Sequence, residues 1–144
     1  MHIRQFHPDD EPAVIELWRR CDLLRPWNDP HLDVQRKLKQ NDGLFLVGEI
    51  GGRIIASVMA GWDGHRGWLY LVGVDPDHQR QGHARAIVSE MEKLLHARGC
   101  RKINLQVRDT NEQVIEFYKR IGYSIDPVLS MGKRFPTSPT TPAE

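Results

Sequence analysis

The sequence predicts a mixed α/β protein: a mainly antiparallel central sheet with helices on both faces. Three observations carry this expectation. Strand-like and helix-like segments follow one another in the order β-α-α-β-β-β-α-β-α-β-β. The middle of the chain is a hairpin, with Gly51-Gly52 between two strand-like runs. The strongest helical pattern, Gly82 to Ala97, carries Ala84, Ile87, Val88, Met91, Leu94 and Leu95 as one apolar stripe.

The elements follow in order. Ile3 and Phe6 suggest a first strand over 1–6. Asp9 and Asp10 favour a helix start, and Ala13, Val14, Leu17, Trp18 and Cys21 then recur at helical spacing to about Asp22. Pro26 and Pro30 interrupt the ladder. Asp29 is the expected N-cap of a second helix over 30–40, with Pro30 at its first position and Asn41-Asp42-Gly43 closing it. Strands are expected over 44–50, 53–62 and 68–74, with a loop at 63–67. After the 82–97 helix, Ile103, Leu105 and Val107 alternate in a strand over 102–108. Thr110 or Asn111 caps a last helix that ends at Gly122, and strands are expected over 123–128 and 129–135. Residues 1–135 form one expected domain, and the proline- and threonine-rich stretch 136–144 an expected disordered tail.

Composition narrows the function. Lys and Arg number 20 against 19 acids, a balance that argues against nucleic-acid binding by bulk charge. No apolar run has the length of a membrane span, and the start is not a signal peptide, so a cytoplasmic protein without a membrane partner is expected. Cys21 and Cys100 form no C-x-x-C pair and read as reduced structural thiols; no metal site is expected.

The segment carrying chemistry is Val74-Asp75-Pro76-Asp77-His78-Gln79-Arg80-Gln81-Gly82-His83-Ala84-Arg85. It follows a strand and opens a helix. Helix N-termini bind phosphate because their first N–H groups lack intrahelical partners. A Rossmann turn would need more glycines, and a P-loop would need G-K-S/T. About thirty residues on, Asn111 is followed by Phe117-Tyr118-Lys119-Arg120-Ile121-Gly122-Tyr123.

Together these motifs resemble the acetyl-CoA-binding signature and the Asn…Tyr-x-x-x-Gly-Phe/Tyr pattern of the GNAT family of N-acetyltransferases. The segments 23–30 and 63–67 further resemble a small bacterial subgroup, the YpeA-type acetyltransferases. The resemblance implies acetyl-CoA as acyl donor, its pyrophosphate on the backbone of Gln79, Arg80, Gln81, Gly82, His83, Ala84 and Arg85. Its pantetheine arm would lie along Val72, Gly73 and Val74, where the strand splays from its neighbour, and would meet Asn111. Asn111 reads equally as a helix cap. Tyr118 would protonate the departing thiolate, its other reading being a core aromatic.

Where many family members place a carboxylate, this chain has Trp68 and Gln106. Water, Asp63, His65, Glu49 or Asp109 remain as proton acceptors, or an amine of low pKa that needs none. Arg25, Trp27, Asn28, Asp63 and His65 are expected to meet the acceptor, a small-molecule or peptide amine. The expected activity is acetyl transfer to a primary amine by direct attack in a ternary complex. The alternative is an acyl-CoA-binding regulatory module without turnover. Exposed edge strands leave a homodimer open.

Overall fold

The computed structural model describes residues 1–136. Strands β1 (His2–Gln5), β2 (Phe45–Ile50), β3 (Arg53–Trp62), β4 (Gly67–Val74) and β5 (Ile103–Asn104) form one sheet in that spatial order. The first four are antiparallel, and β5 joins β4 in parallel through Gly67 and Trp68. The helices are α1 (Glu11–Arg20), α2 (Pro30–Gln40), α3 (His83–Ala97) and α4 (Glu112–Arg120). Among the described residues, no helix is long and apolar enough to cross a membrane. By its internal contacts the chain divides into two compact units, 1–105 and 106 onward.

Local chemistry sets the helix ends. His7 and Asp10 form a reciprocal cap around a 3-10 turn over Pro8–Asp10, with His7 N–H donating to Asp10 at 2.8 Å and Asp9 N–H to His7 at 3.1 Å. α1 then ends two residues before the expected Asp22, which turns left-handed at φ +57°. α2 has the expected bounds. Asp29 accepts from the N–H groups of His31 (2.9 Å) and Leu32 (3.4 Å), and Asn41 closes it in the left-handed conformation. Gly51 and Gly52, both at positive φ, make the β2–β3 turn.

In the first unit, α1 and α2 pack on one face of the sheet. Val14, Leu17, Trp18 and Val34 meet Phe45, Val47 and Met59, with Phe6 stacked on Phe45 at 4.3 Å. Alternate residues such as Leu46 and Val58 point the other way, and α3 packs on β2, β3 and β4.

Three expected strands differ. Of 102–108, only Ile103 and Asn104 form a ladder. Parallel pairing is weaker per residue, and β4 offers β5 only its first two residues. Residues 123–135 form no strand. There Val128 N–H closes a tight turn on Asp126 C=O at 2.9 Å, and Pro127 lacks an N–H to give a ladder. Ile125, Val128, Leu129, Met131 and Phe135 are exposed. In the second unit, α4 ends at Ile121 and Gly122 (φ +103°), with Tyr123 N–H bonded to Tyr118 C=O at 2.9 Å. From residue 137, the expected tail lies outside the described residues.

Candidate active site

The site begins with a break in β4. Ser57 pairs with Gly73 and Met59 with Tyr70, so Leu71 and Val72 together face Val58 alone. This is a β-bulge. Leu71 absorbs it at φ +49°, a conformation that costs a branched side chain about 1–2 kcal/mol. A buried polar chain holds it: Trp18 Nε1 donates to Ser57 Oγ (3.0 Å), and Ser57 Oγ donates to Leu71 C=O (3.0 Å). Trp18 and Ser57 are both 0 % exposed, so losing either bond would strand a buried polar group. The sequence offered one clue to this chain: Ser57 is the polar residue within the apolar run Ile54–Ala60.

Past the bulge, β4 pairs with β3 on one side only. Its other edge has no strand partner from Leu69 to Val74 among the described residues. Such an edge can take a ligand arm as an added strand. The Val74 carbonyl accepts from Gln79 Nε2 (3.1 Å) and Cys21 Sγ (3.3 Å), which ties the following turn to the strand end. Burial pushes the Cys21 thiol up to about 11, so it stays protonated. Gly73 is set by packing: a Cβ there would lie 3.1 Å from both Cys21 Sγ and Leu23 Cδ1.

The turn into α3 uses left-handed residues twice, Arg80 at φ +62° and Gly82 at φ +83°. A Cβ at Gly82 would meet nothing within 4 Å, so its glycine serves backbone conformation and leaves open space in front of the helix. The N–H groups of Gln79 to Gly82 make no hydrogen bond among the described residues. With those of His83, Ala84 and Arg85 in the first turn of α3, they form the kind of concave N–H array that binds anions. Gln81 Oε1 accepts from His83 Nε2 at 3.2 Å, and Arg80 and Arg85 are exposed.

In the second unit, Asn111 occupies the N-cap of α4 but makes no capping bond with its side chain, which leaves its amide unbonded among the described residues. Tyr118 is buried, with Phe117 and Tyr123 edge-on at 5.0 and 5.5 Å. Burial pushes its phenol up to about 12.

The residues expected to meet the acceptor come from two segments, 25–28 and 63–65. Arg25 donates to the carbonyls of Asp22 (2.8 Å) and Leu24 (2.9 Å). Trp27 is 37 % exposed. Asp63 accepts from the N–H groups of His65 (2.7 Å) and Arg66 (2.8 Å), bonds that shape the loop and hold its carboxyl below the usual range. Asn28 does line a cavity of about 520 Å³ between α2, the end of β3 and the middle of β4, together with Asp33, Arg36, Tyr70 and Leu71. Of the other proton acceptors considered, Glu49 pairs with Arg4 at 3.3 Å and Asp109 is exposed. Trp68 is half-buried, and Gln106 bonds Ser130. Asp33 was missed in sequence, where it reads only as an acid in the first turn of a helix. Burial raises its carboxyl, with Arg36 lowering and Asp29 raising it.

A second cavity, about 450 Å³, is lined by Arg4, Asp10, Arg20, Arg53 and Asp75. These five charges pair with one another: Arg4 with Asp10 at 2.8 Å, Arg20 with Asp75, and Arg53 with Asp75 at 3.9 Å, while Asp9 and Glu16 on the same wall pair with His7 and Arg19 outside it.

The sequence pattern of the Acetyltransferase (GNAT) family matches residues 12–123. The chain belongs to that family. It is 53 % identical over 135 residues to an acetyltransferase of Sodalis glossinidius, covering 93 % of this chain and 95 % of the relative. It is equally similar over 134 residues to one of Pectobacterium atrosepticum, with the same coverage. Among solved structures, it is similar to the ribosomal-protein-S18-alanine N-acetyltransferase of Escherichia coli, at TM-score 0.69 and 27 % identity, covering 84 % of this chain and 76 % of that one. The fold is shared with AAC(6')-Iy in complex with a CoA bisubstrate analogue, at TM-score 0.77 and 16 % identity over 93 % of this chain and 98 % of that one. This GNAT chain is therefore an acetyltransferase by family.

Proposed function

We propose that this acetyltransferase uses acetyl-CoA to acetylate a primary amine by direct attack in a ternary complex. The observation that carries the reading is the unpaired edge of β4, which runs from the Leu71 bulge into the left-handed turn at Arg80–Gly82. The two features would receive the two parts of CoA in sequence. The N–H groups of Gln79 to Arg85 hold the pyrophosphate, with Arg80 and Arg85 adding charge. Val72 and the Val74 N–H offer pairing groups to the pantetheine arm, the Val74 carbonyl being already engaged. Asn111 offers its amide to the same arm.

Acetyl-CoA supplies an activated thioester. The acceptor ammonium first loses a proton to water. Its nitrogen pair then forms a bond to the thioester carbon, and the carbonyl oxygen accepts a hydrogen bond from a β4 N–H at the bulge. The C–S bond breaks, the sulfur leaves with its electron pair, and the new amide nitrogen gives up its second proton. A phenol near 12 is a weaker acid than a thiol. Tyr118 therefore acts as a hydrogen-bond donor to the thiolate as charge develops, and the thiol's proton arrives from solvent through it. The reading keeps the protein in the cytoplasm, without a membrane or nucleic-acid partner.

Calorimetry tests the donor site. Acetyl-CoA is expected to bind in the micromolar range, and Gly82→Trp, which fills the open space before α3, to abolish it. No binding by the folded wild-type chain would overturn the reading. Binding without thiol release over a broad amine panel would establish the non-catalytic module instead. Tyr118→Phe is expected to lower kcat by about 10²-fold while the Kd for acetyl-CoA holds; unchanged kcat would remove Tyr118 from the chemistry.

A further inference from the structure

Each of the four helices carries an acid followed three residues later by a base: Glu16–Arg19, Asp33–Arg36, Glu90–Lys93 and Glu116–Lys119. Three of these pairs close, at 2.5, 3.0 and 3.6 Å. Asp33 and Arg36 form no ion pair among the described residues, and neither side chain makes a hydrogen bond there. A short acidic side chain is not the reason, since Asp22 and Arg25 have the same spacing and meet at 3.7 Å. The open pair is the one that lines the 520 Å³ cavity beside Leu71.

The remaining charge in that cavity is already used. Lys37 donates to Asp42 (2.8 Å), Gln40 (3.1 Å) and the Ala60 carbonyl. One anion and one cation are left. Asp33 is half-buried without a donor, a position that favours a ligand cation. Arg36 is exposed at the same wall.

We propose that this cavity is the acceptor site and that it selects a free α-amino acid, with Asp33 receiving its ammonium group and Arg36 its carboxylate. The inference rests on the acetyltransferase reading above. Residues three apart on a helix have Cβ atoms about 5–6 Å apart. That span suits two charge-assisted hydrogen bonds to a zwitterion whose charged groups share one carbon. A polyamine or an aminoglycoside brings several ammonium groups and would want several carboxylates, whereas this wall has one. A peptide N-terminus has an amide where Arg36 would find a carboxylate. Leu71 lines the same cavity, so an amine seated on Asp33 shares the space with the bulge.

The test uses the full chain at saturating acetyl-CoA, with thiol release as the assay. The panel holds the standard α-amino acids, their α-carboxamides, spermidine, an aminoglycoside and a short peptide with a free N-terminus. At least one α-amino acid is expected to be acetylated, with a KM about tenfold or more below that of its carboxamide. Arg36→Gln should raise KM for the acid about tenfold and leave the carboxamide unchanged, whereas Asp33→Asn should raise both about tenfold. The Kd for acetyl-CoA, read by calorimetry, should stay constant in both variants, which also reports that they fold. The proposal is overturned if acid and carboxamide react alike, if Arg36→Gln moves neither, or if spermidine, the aminoglycoside or the peptide is preferred. Acetyl-CoA binding with no panel amine acetylated overturns it alone. Loss of acetyl-CoA binding by the wild type brings down the donor reading first.

Discussion

On the α3 face of the sheet, Ile87, Val88, Met91 and Leu95 are each buried to 0 % exposure, and a Cβ at Gly67 would lie 2.8 Å from Cys100 Sγ, closer than side chains pack. On the α1–α2 face, burial is shared with polar groups. Trp18 bonds Ser57, Ser57 bonds Leu71, and Lys37 reaches Asp42 and the Ala60 carbonyl. That face also keeps a cavity and a residue at positive φ. Dry close packing fixes the sheet from one side. Directional bonds hold an irregular strand in place on the other, where the proposed reaction would need backbone groups at set positions.

Variants on each face can separate the two roles. Met91→Ala should cost about 2–5 kcal/mol by urea denaturation, from lost burial plus the cavity left behind. Its KM values should hold. A larger change in KM than in stability would mean that α3 also shapes the site. Ser57→Ala strands the Trp18 indole N–H and should cost about 1–3 kcal/mol. Its kcat should fall about tenfold more than that of Met91→Ala, because the Leu71 carbonyl loses its restraint as well. If the two variants lose kcat equally, the Trp18–Ser57–Leu71 chain serves stability alone.

The smallest effect is electrostatic. The bidentate bond from Arg4 holds Asp10 below the usual carboxylate range. Burial pushes Asp42 up, but Lys37 and the Leu44 N–H outweigh it and hold that carboxyl low as well. Both contribute stability that is complete above the ordinary carboxyl pKa and is lost as pH falls through their lower folded values. Asp33 has the opposite sign: its raised pKa gives stability below the ordinary value that disappears as pH rises through the folded one. An acid titration of Tm should therefore show the low-pH loss shrink in Asp42→Asn, by about 1 kcal/mol or less. An unchanged profile would show that Lys37 is held by Gln40 and the Ala60 carbonyl without Asp42.

Much of this was legible in the sequence where a residue acts through its own chain neighbours. Asp29 with Pro30 marked the start of α2, and Gly51-Gly52 marked the hairpin; both are short-range constraints. The 74–85 segment pointed to an anion-binding turn for the same reason. A splay of the strand along Val72, Gly73 and Val74 was expected, but not a bulge centred on Leu71. Leu71 has no local preference for positive φ, and its conformation comes from Ser57 and Trp18, residues 14 and 53 positions away. In sequence Asp33 is only an acid in the first turn of a helix, and the structure shows it beside Arg36 on the wall of a cavity. The expected strands at 123–135 did not form. Alternating apolar residues state a preference for pairing, but Pro127 and the tight turn from Asp126 to Val128 interrupt the run.

The buried indole of Trp18 has an optical consequence. Of the four tryptophans, Trp18 is fully buried, while Trp27 is 37 % exposed and Trp62 and Trp68 are partly exposed. A water-borne quencher such as acrylamide will dim the other three first and leave an emission dominated by the residue bonded to Ser57. The colour of that residual light reports on the strength of the bond to Ser57. The state of the strand break can thus be followed in the native chain during turnover, with no dye attached and no residue replaced.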